Sequence, residues 1–233
     1  MNHNFTDLFG LEPAQVRKNC ILVPFYFPHM LELFQIDDWK KGQCFACGNH
    51  ESFTLIHTRM GAPFVGDAVL YLNETKCENL FFLGSCGLIQ QAGSLAIGSL
   101  VVVNKAFALE SFTAILLQNC TFDKSTLAEK NFLNTLVDKV DKSVTVASLG
   151  SIHLETTITG SLIENNIDVV DMETSAFLHA AKHIHRNAAA LLFVTDILNE
   201  TSPFSYSPED KEKIGASQSA AVHLLMKQCQ NLT

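Results

Sequence analysis

The stretch from 188 to 195, "AAALLFVT", is apolar at odd and even positions alike. A strand with one wet face alternates polar and apolar residues, so a run without that alternation must be covered on both faces by other elements. The same character recurs in "CILVPF" (20–25), "SFTLIHT" (52–58), "NLFFLG" (79–84), "SLVVVN" (99–104), "SVTVASL" (143–149) and "IDVVDM" (167–172). Helix-like stretches lie between and after these runs, at 65–75, 126–140, 174–184 and 208–230, the last opening on Pro208, Glu209 and Asp210 in a helix-start order. The alternation predicts an α/β protein, and 233 residues at 47% hydrophobic content are enough for one domain spanning 1–233 with a substantial core.

Composition narrows the function classes. A net charge of -8, spread along the chain, offers no basic patch to a nucleic-acid backbone or an anionic membrane. The first twenty residues hold no apolar segment of signal-peptide length, and no run reaches the roughly 18 residues of a membrane span, so a cytoplasmic protein is expected. The seven cysteines read as reduced thiols, several of them in or beside apolar runs. "CFACGNH" sets Cys44, Cys47 and His50 at a spacing suited to part of a zinc site, but no second pair completes it, and no metal is expected.

In α/β sheets, sites form where strands end, because loops vary there while strands hold them rigid. Three such ends carry suggestive residues: "IHTRMGAP" with Arg59 and Gly61, "FFLGSCG", and "VVDMETSAF" with Glu173 at a helix start. Gly84 and Gly87 suit a tight turn that leaves amide groups and the Ser85 hydroxyl facing an anion; taken alone, they are explained better by a tight turn with nothing bound. Glu173 and Asp196 are separated by room for one helix and one strand, a βαβ unit that brings both acids to one sheet edge. There, one carboxylate suits vicinal hydroxyls and another, in apolar surroundings, suits proton delivery. Alternatively, Glu173 only complements a helix dipole and Asp196 only caps a helix.

The order "TRMGAP…LFFLGSCGLIQQAGSLAIGSLVVVNKAFALES", then "VVDMETSAFLHAAKHIHRNAAALLFVTDILNE", resembles the purine nucleoside phosphorylase and uridine phosphorylase superfamily, which includes the methylthioadenosine nucleosidases. The resemblance runs from about Thr54 to Asn199. It implies a twisted mixed central sheet flanked by helices in three layers, assembly as a homodimer or a trimer of dimers, and cleavage of the N-glycosidic bond of purine nucleosides without a cofactor. By the same resemblance Met172 and Glu173 bind the ribose, Asp196 protonates the base, and Ser85 with Gly84 binds phosphate. Ile152 or His153 stands where the family has its base-stacking aromatic, which implies a changed or absent base pocket bordered by Thr195; Arg59, at a strand end beside the same pocket, is the candidate to assist the phosphate.

Two departures bear on the nucleophile. The resemblance calls for an Arg where Phe82 stands, and for a Gly-Asp-x-x-Arg element where the chain reads "VPFYFPHM". Phosphate is costly to desolvate without a cation partner. Arg59, His29, or a neighbouring subunit's Lys40 or Lys41 are the candidate replacements. The expected reaction is phosphorolysis, with inorganic phosphate as co-substrate. The alternatives are hydrolysis of the methylthioadenosine nucleosidase type, although the first loop has no glutamate before Glu32, and a non-catalytic nucleoside-binding homologue.

Overall fold

The computed structural model describes residues 4–89, 95–201 and 205–233. Among these residues ten strands form one mixed sheet: β1 (Asn19–Val23), β2 (Trp39–Lys41), β3 (Ala46–Asn49), β4 (Thr54–His57), β5 (Asn79–Leu88), β6 (Leu100–Leu109), β7 (Ser125–Leu127), β8 (Lys142–Leu149), β9 (Val169–Asp171) and β10 (Asn187–Ile197). Among the described residues eight α-helices accompany them: α1 (Asn4–Phe9), α2 (Met30–Leu33), α3 (Ala62–Tyr71), α4 (Phe112–Leu116), α5 (Lys130–Val137), α6 (Thr159–Glu164), α7 (Thr174–His183) and α8 (Pro208–Asn231).

β1 lies parallel to β4 and β5, and β5 parallel to β10. β5 also pairs antiparallel with β9, β9 parallel with β8, β8 parallel with β6, and β6 antiparallel with β10, so these five strands close on themselves. The two-sided apolar runs acquire their covers as expected. Leu22, Phe82, Leu192 and Val194 join one core with Val65, Val69 and Phe177 of α3 and α7. Ile21, Phe81, Leu191 and Phe193 join another with Val222, Leu225 and Met226 of α8. α8 begins where the sequence places it, with Ser207 accepting from the Asp210 backbone N–H at 3.1 Å in a reciprocal capping box. No helix among the described residues is long and apolar enough to cross a membrane.

The structure corrects three expectations. The stretch 126–140 is not one helix: Ser125–Leu127 pairs with Lys105–Phe107 as a strand, and Glu129 then accepts from the Phe132 N–H at 2.6 Å as α5 begins. The Gly84–Gly87 segment is not a turn, since β5 continues to Leu88 with β10 paired alongside it, and neither glycine has a positive φ. β9 and β10 are not the parallel strands of a βαβ unit; β5 stands between them, antiparallel to one and parallel to the other.

Candidate active site

Gly87 is the register point at which these strands meet, with Val170 of β9 opposite it on one side and Asp196 of β10 on the other. A Cβ at Gly87 would lie 2.9 Å from Asp196 Oδ2 and 2.8 Å from Leu198 Cδ1. Glycine is therefore required by the close approach of a carboxylate, not by backbone conformation. On the β10 side the register slips between Val194 and Asp196, leaving Thr195 as an extra residue. Consecutive strand residues normally face opposite ways; this bulge lets both Thr195 and Asp196 line one cavity.

That cavity, of about 320 Å³, is lined by Ser85, Cys86 and Gly87 of β5, by Asp171, Met172 and Glu173 where β9 hands over to α7, and by Thr195 and Asp196. Ile152 and Glu155 enter from the segment after β8, Phe25, Tyr26 and Phe27 from the loop after β1, and Tyr206, Ile214 and Gln218 from the α8 side. The structure thus gathers Ser85, Ile152, Met172, Glu173, Thr195 and Asp196 around one space. Gly84, Arg59 and His153 do not line it. Gly84 is packed into the core, where a Cβ would meet Phe82 Cε1 at 2.6 Å. His153 is exposed, and the exposed Arg59 donates to the Gln43 carbonyl at 3.2 Å and lies over the Phe64 ring. Lys40 pairs with Asp38, and His29 with Glu32.

Glu173 occupies the residue before α7, yet its side chain makes no capping bond to that helix. Its Oε1 accepts instead from the Gly61 N–H at 2.6 Å, tying α7 to the loop after β4. Burial, then the neighbouring Asp171 charge, push the Glu173 carboxyl up to about 8. Asp171 is buried and raised by desolvation, opposed by hydrogen bonds from Ser148 Oγ at 2.6 Å, the Thr174 N–H at 2.8 Å and the Thr174 hydroxyl. Asp196 caps no helix; it lies within β10, and its Oδ1 accepts from Thr195 Oγ1 at 2.7 Å. Burial raises its carboxyl, and the Thr195 bond opposes that. Burial, then Asp196, push Glu155 up to about 7.

Sequence reasoning named neither Asp171, Glu155 nor Tyr206, and considered the loop "VPFYFPHM" only as the place of an absent anion-binding or base residue. Asp171 belonged to a quoted strand end, so only its neighbour drew attention; Glu155 follows "SIHL" with no pattern to mark it. Among the described residues no group of His, Cys, Asp and Glu is arranged to hold a metal. Cys47 is buried in β3, its thiol pushed up by burial, and His50 Nδ1 faces Ser52 Oγ at 3.0 Å.

Chemically, the cavity combines among the described residues four carboxyl groups, those of Glu155, Asp171, Glu173 and Asp196, with no Lys, Arg or His lining it. It suits a hydroxyl-rich ligand and a reaction that builds positive charge.

The model of the phosphorylase superfamily matches residues 23–230. No match is found among curated proteins. Among solved structures, the chain is similar to the 5'-methylthioadenosine/S-adenosyl homocysteine nucleosidase of Campylobacter jejuni, with a TM-score of 0.73 and 14% identity over 92% of this chain and 99% of that one. It is also similar to a uridine phosphorylase from Vibrio fischeri (TM-score 0.71, 20% identity, 90% of each chain) and to an AMP nucleosidase from Bacteroides thetaiotaomicron (TM-score 0.68, 16% identity, 96% of this chain and 95% of that one). At these identities the likeness establishes the shared α/β fold.

Proposed function

The chain belongs to the phosphorylase superfamily, and from that membership we propose that it cleaves the N-glycosidic bond of a nucleoside, with water as the nucleophile. The observation that carries the reading is the meeting of Glu173 and Asp196, from different strands, in one cavity that among the described residues is lined by carboxyls and by no cation. Glu173 is fixed by the Gly61 N–H, which leaves its second oxygen for the vicinal hydroxyls of a ribose. The carboxyl groups around Asp196 meet the base. As the C1'–N bond breaks, the sugar gains positive charge and the base negative charge, so carboxylates beside the sugar and a carboxyl proton beside the base both favour the transition state.

Phosphate is disfavoured by the same lining. A doubly charged anion placed among carboxyls loses its hydration without a charge-assisted bond in return. Of the cations considered from the same chain, Arg59 donates to the Gln43 carbonyl and His29 does not line the cavity. Hydrolysis therefore accounts for the geometry better than the phosphorolysis expected from the resemblance.

A panel of purine and pyrimidine nucleosides, followed by chromatography of the released base with and without inorganic phosphate, tests this. Equal rates of release under both conditions are expected. Release that strictly requires phosphate would replace hydrolysis by phosphorolysis, and thermal stabilisation by nucleosides without any release would reduce the protein to a binding homologue.

A further inference from the structure

Glu173 occupies the N-cap position of α7 and makes no capping bond, yet the first turn of that helix is not left open. The Thr174 N–H donates to Asp171 Oδ2 at 2.8 Å, and the Thr174 hydroxyl donates to the same oxygen. The Ser175 N–H donates to Ser148 Oγ at 2.8 Å, and that hydroxyl in turn donates to Asp171 Oδ1 at 2.6 Å. Ser148 of β8 and Asp171 of β9 are register partners, so one rung of the sheet supplies both acceptors. All four residues are buried. We propose that Ser148 and Asp171 are positioning residues for Glu173: by capping α7 from the sheet, they keep the Glu173 carboxyl turned away from its own helix and toward the cavity. The proposal rests on the ribose grip assigned to Glu173 above, and it adds what aims that grip.

Competition for donors explains the arrangement. A polar side chain at the start of a helix ordinarily turns back onto the amides of the first turn, because those N–H groups have no partner within the helix. Glutamate reaches the same groups and gains from the positive end of the helix dipole. In α7 the two amides that follow Glu173 are already taken by Asp171 and Ser148, so they do not draw its carboxyl back. Oε1 of Glu173 accepts the Gly61 N–H at 2.6 Å instead, from the loop after β4. Deleting the Asp171 side chain would leave buried amides without an acceptor, and an orphaned buried N–H is costly enough to recruit the nearest carboxyl. Asp171 ends β9 and Glu173 comes two positions later, so one strand end holds both the residue that caps and the residue that grips.

A substrate pair tests the kinetic side. Asp171→Ala removes the acceptor and should lower kcat/KM for a purine ribonucleoside by about 100-fold. Asp171→Asn, which keeps an acceptor for the Thr174 N–H, should recover part of that loss, and Ser148→Ala should show a smaller loss in the same direction. A 2',3'-dideoxynucleoside of the same base lacks the hydroxyls that Glu173 grips, and the same variants should lose far less on it. In a Glu173→Gln background, Asp171→Ala should cost little further, because both changes disable one grip. Equal losses on both substrates, or losses that add to that of Glu173→Gln, would reduce the pair to a structural cap and overturn the proposal.

A second readout needs no turnover. The Gly61 amide proton is deshielded by its short bond to Glu173, and its NMR resonance reports that bond directly. It should move upfield in Asp171→Ala and in Ser148→Ala, as the carboxyl turns back to the freed amides, and should stay in place in Asp171→Asn. Ser148→Ala leaves Asp171 on the Thr174 N–H, so it decides the matter should Asp171→Ala fail to fold. A Gly61 resonance unmoved in Ser148→Ala would overturn the proposal. A wild type inert on every nucleoside would remove the functional reading, and the Gly61 resonance would still decide whether the cap aims Glu173.

Discussion

Glu173 is the residue at which the environment most alters ordinary chemistry. Its carboxyl is 5% exposed and sits beside Asp171, so folding moves its pKa from the usual 4.5 to about 8. Between those values the folded chain holds a proton that the unfolded chain has released. Stability from this group is complete below about 4.5, declines as pH rises, and is gone above about 8. Glu173→Gln keeps an acceptor for the Gly61 N–H and removes the titration. Urea denaturation should therefore show the variant close to wild type at pH 5 and more stable by on the order of a few kcal/mol at pH 9. Under the proposed function the ionised form accepts both ribose hydroxyls, so nucleoside binding near pH 7 should release a proton, seen as a dependence of the calorimetric binding enthalpy on the buffer. Neither property follows from the letters "DMET": an acid before a helix reads equally as a dipole partner, and only burial against the Gly61 loop separates the two.

At the scale of an element, β5 carries two glycines with different duties. A Cβ at Gly84 would lie 2.6 Å from the Phe82 ring and 3.0 Å from Leu192 Cδ2, and Phe82 is fully buried with its ring 5.4 Å from that of Phe177. Gly84→Ala should thus lower stability by about 1–3 kcal/mol through overpacking, while the folded fraction keeps its kcat/KM. Gly87→Ala instead crowds the Asp196 carboxylate and should lower kcat/KM as well as stability; denaturation midpoints measured beside turnover separate the two. The "GSCG" pattern invited a turn reading because small residues cluster in turns. It is a strand because ten residues of β10 have their partners along it, and sequence-local signals do not reveal long-range pairing. The bulge at Thr195 was hidden for the same reason, as it exists only in the register between two distant segments.

Across the whole molecule the two ends of the sheet do different work. At the amino ends of β1, β5 and β10, Asn19, Asn79 and Asn187 stand in register, with Asn187 Nδ2 donating to Asn79 Oδ1 and Asn79 Nδ2 to Asn19 Oδ1, each at 2.8 Å. Asn19 Nδ2 carries the ladder on to the carbonyls of Ser52 and Cys229, which ties the end of α8 to the sheet. Asn79→Leu strands both neighbouring amides and should lower stability by about 2–4 kcal/mol. Eight residues along β5 separate Asn79 from Gly87, roughly 26 Å of strand. The activity of the folded fraction should therefore be unchanged, as turnover below the unfolding transition would show.

What the sequence determined by itself was the kind of architecture and the family. Runs apolar on both faces demand cover wherever they lie, and the ordered residues from "TRMG" to "FVTD" carry the family resemblance. Tertiary structure alone decided that five strands close on themselves, that Arg59 turns away, and that Glu155 and Asp171 join the cavity. Those outcomes depend on register and on which surfaces lose water together. Such properties arise between segments far apart in the chain, where no local pattern of side chains encodes them.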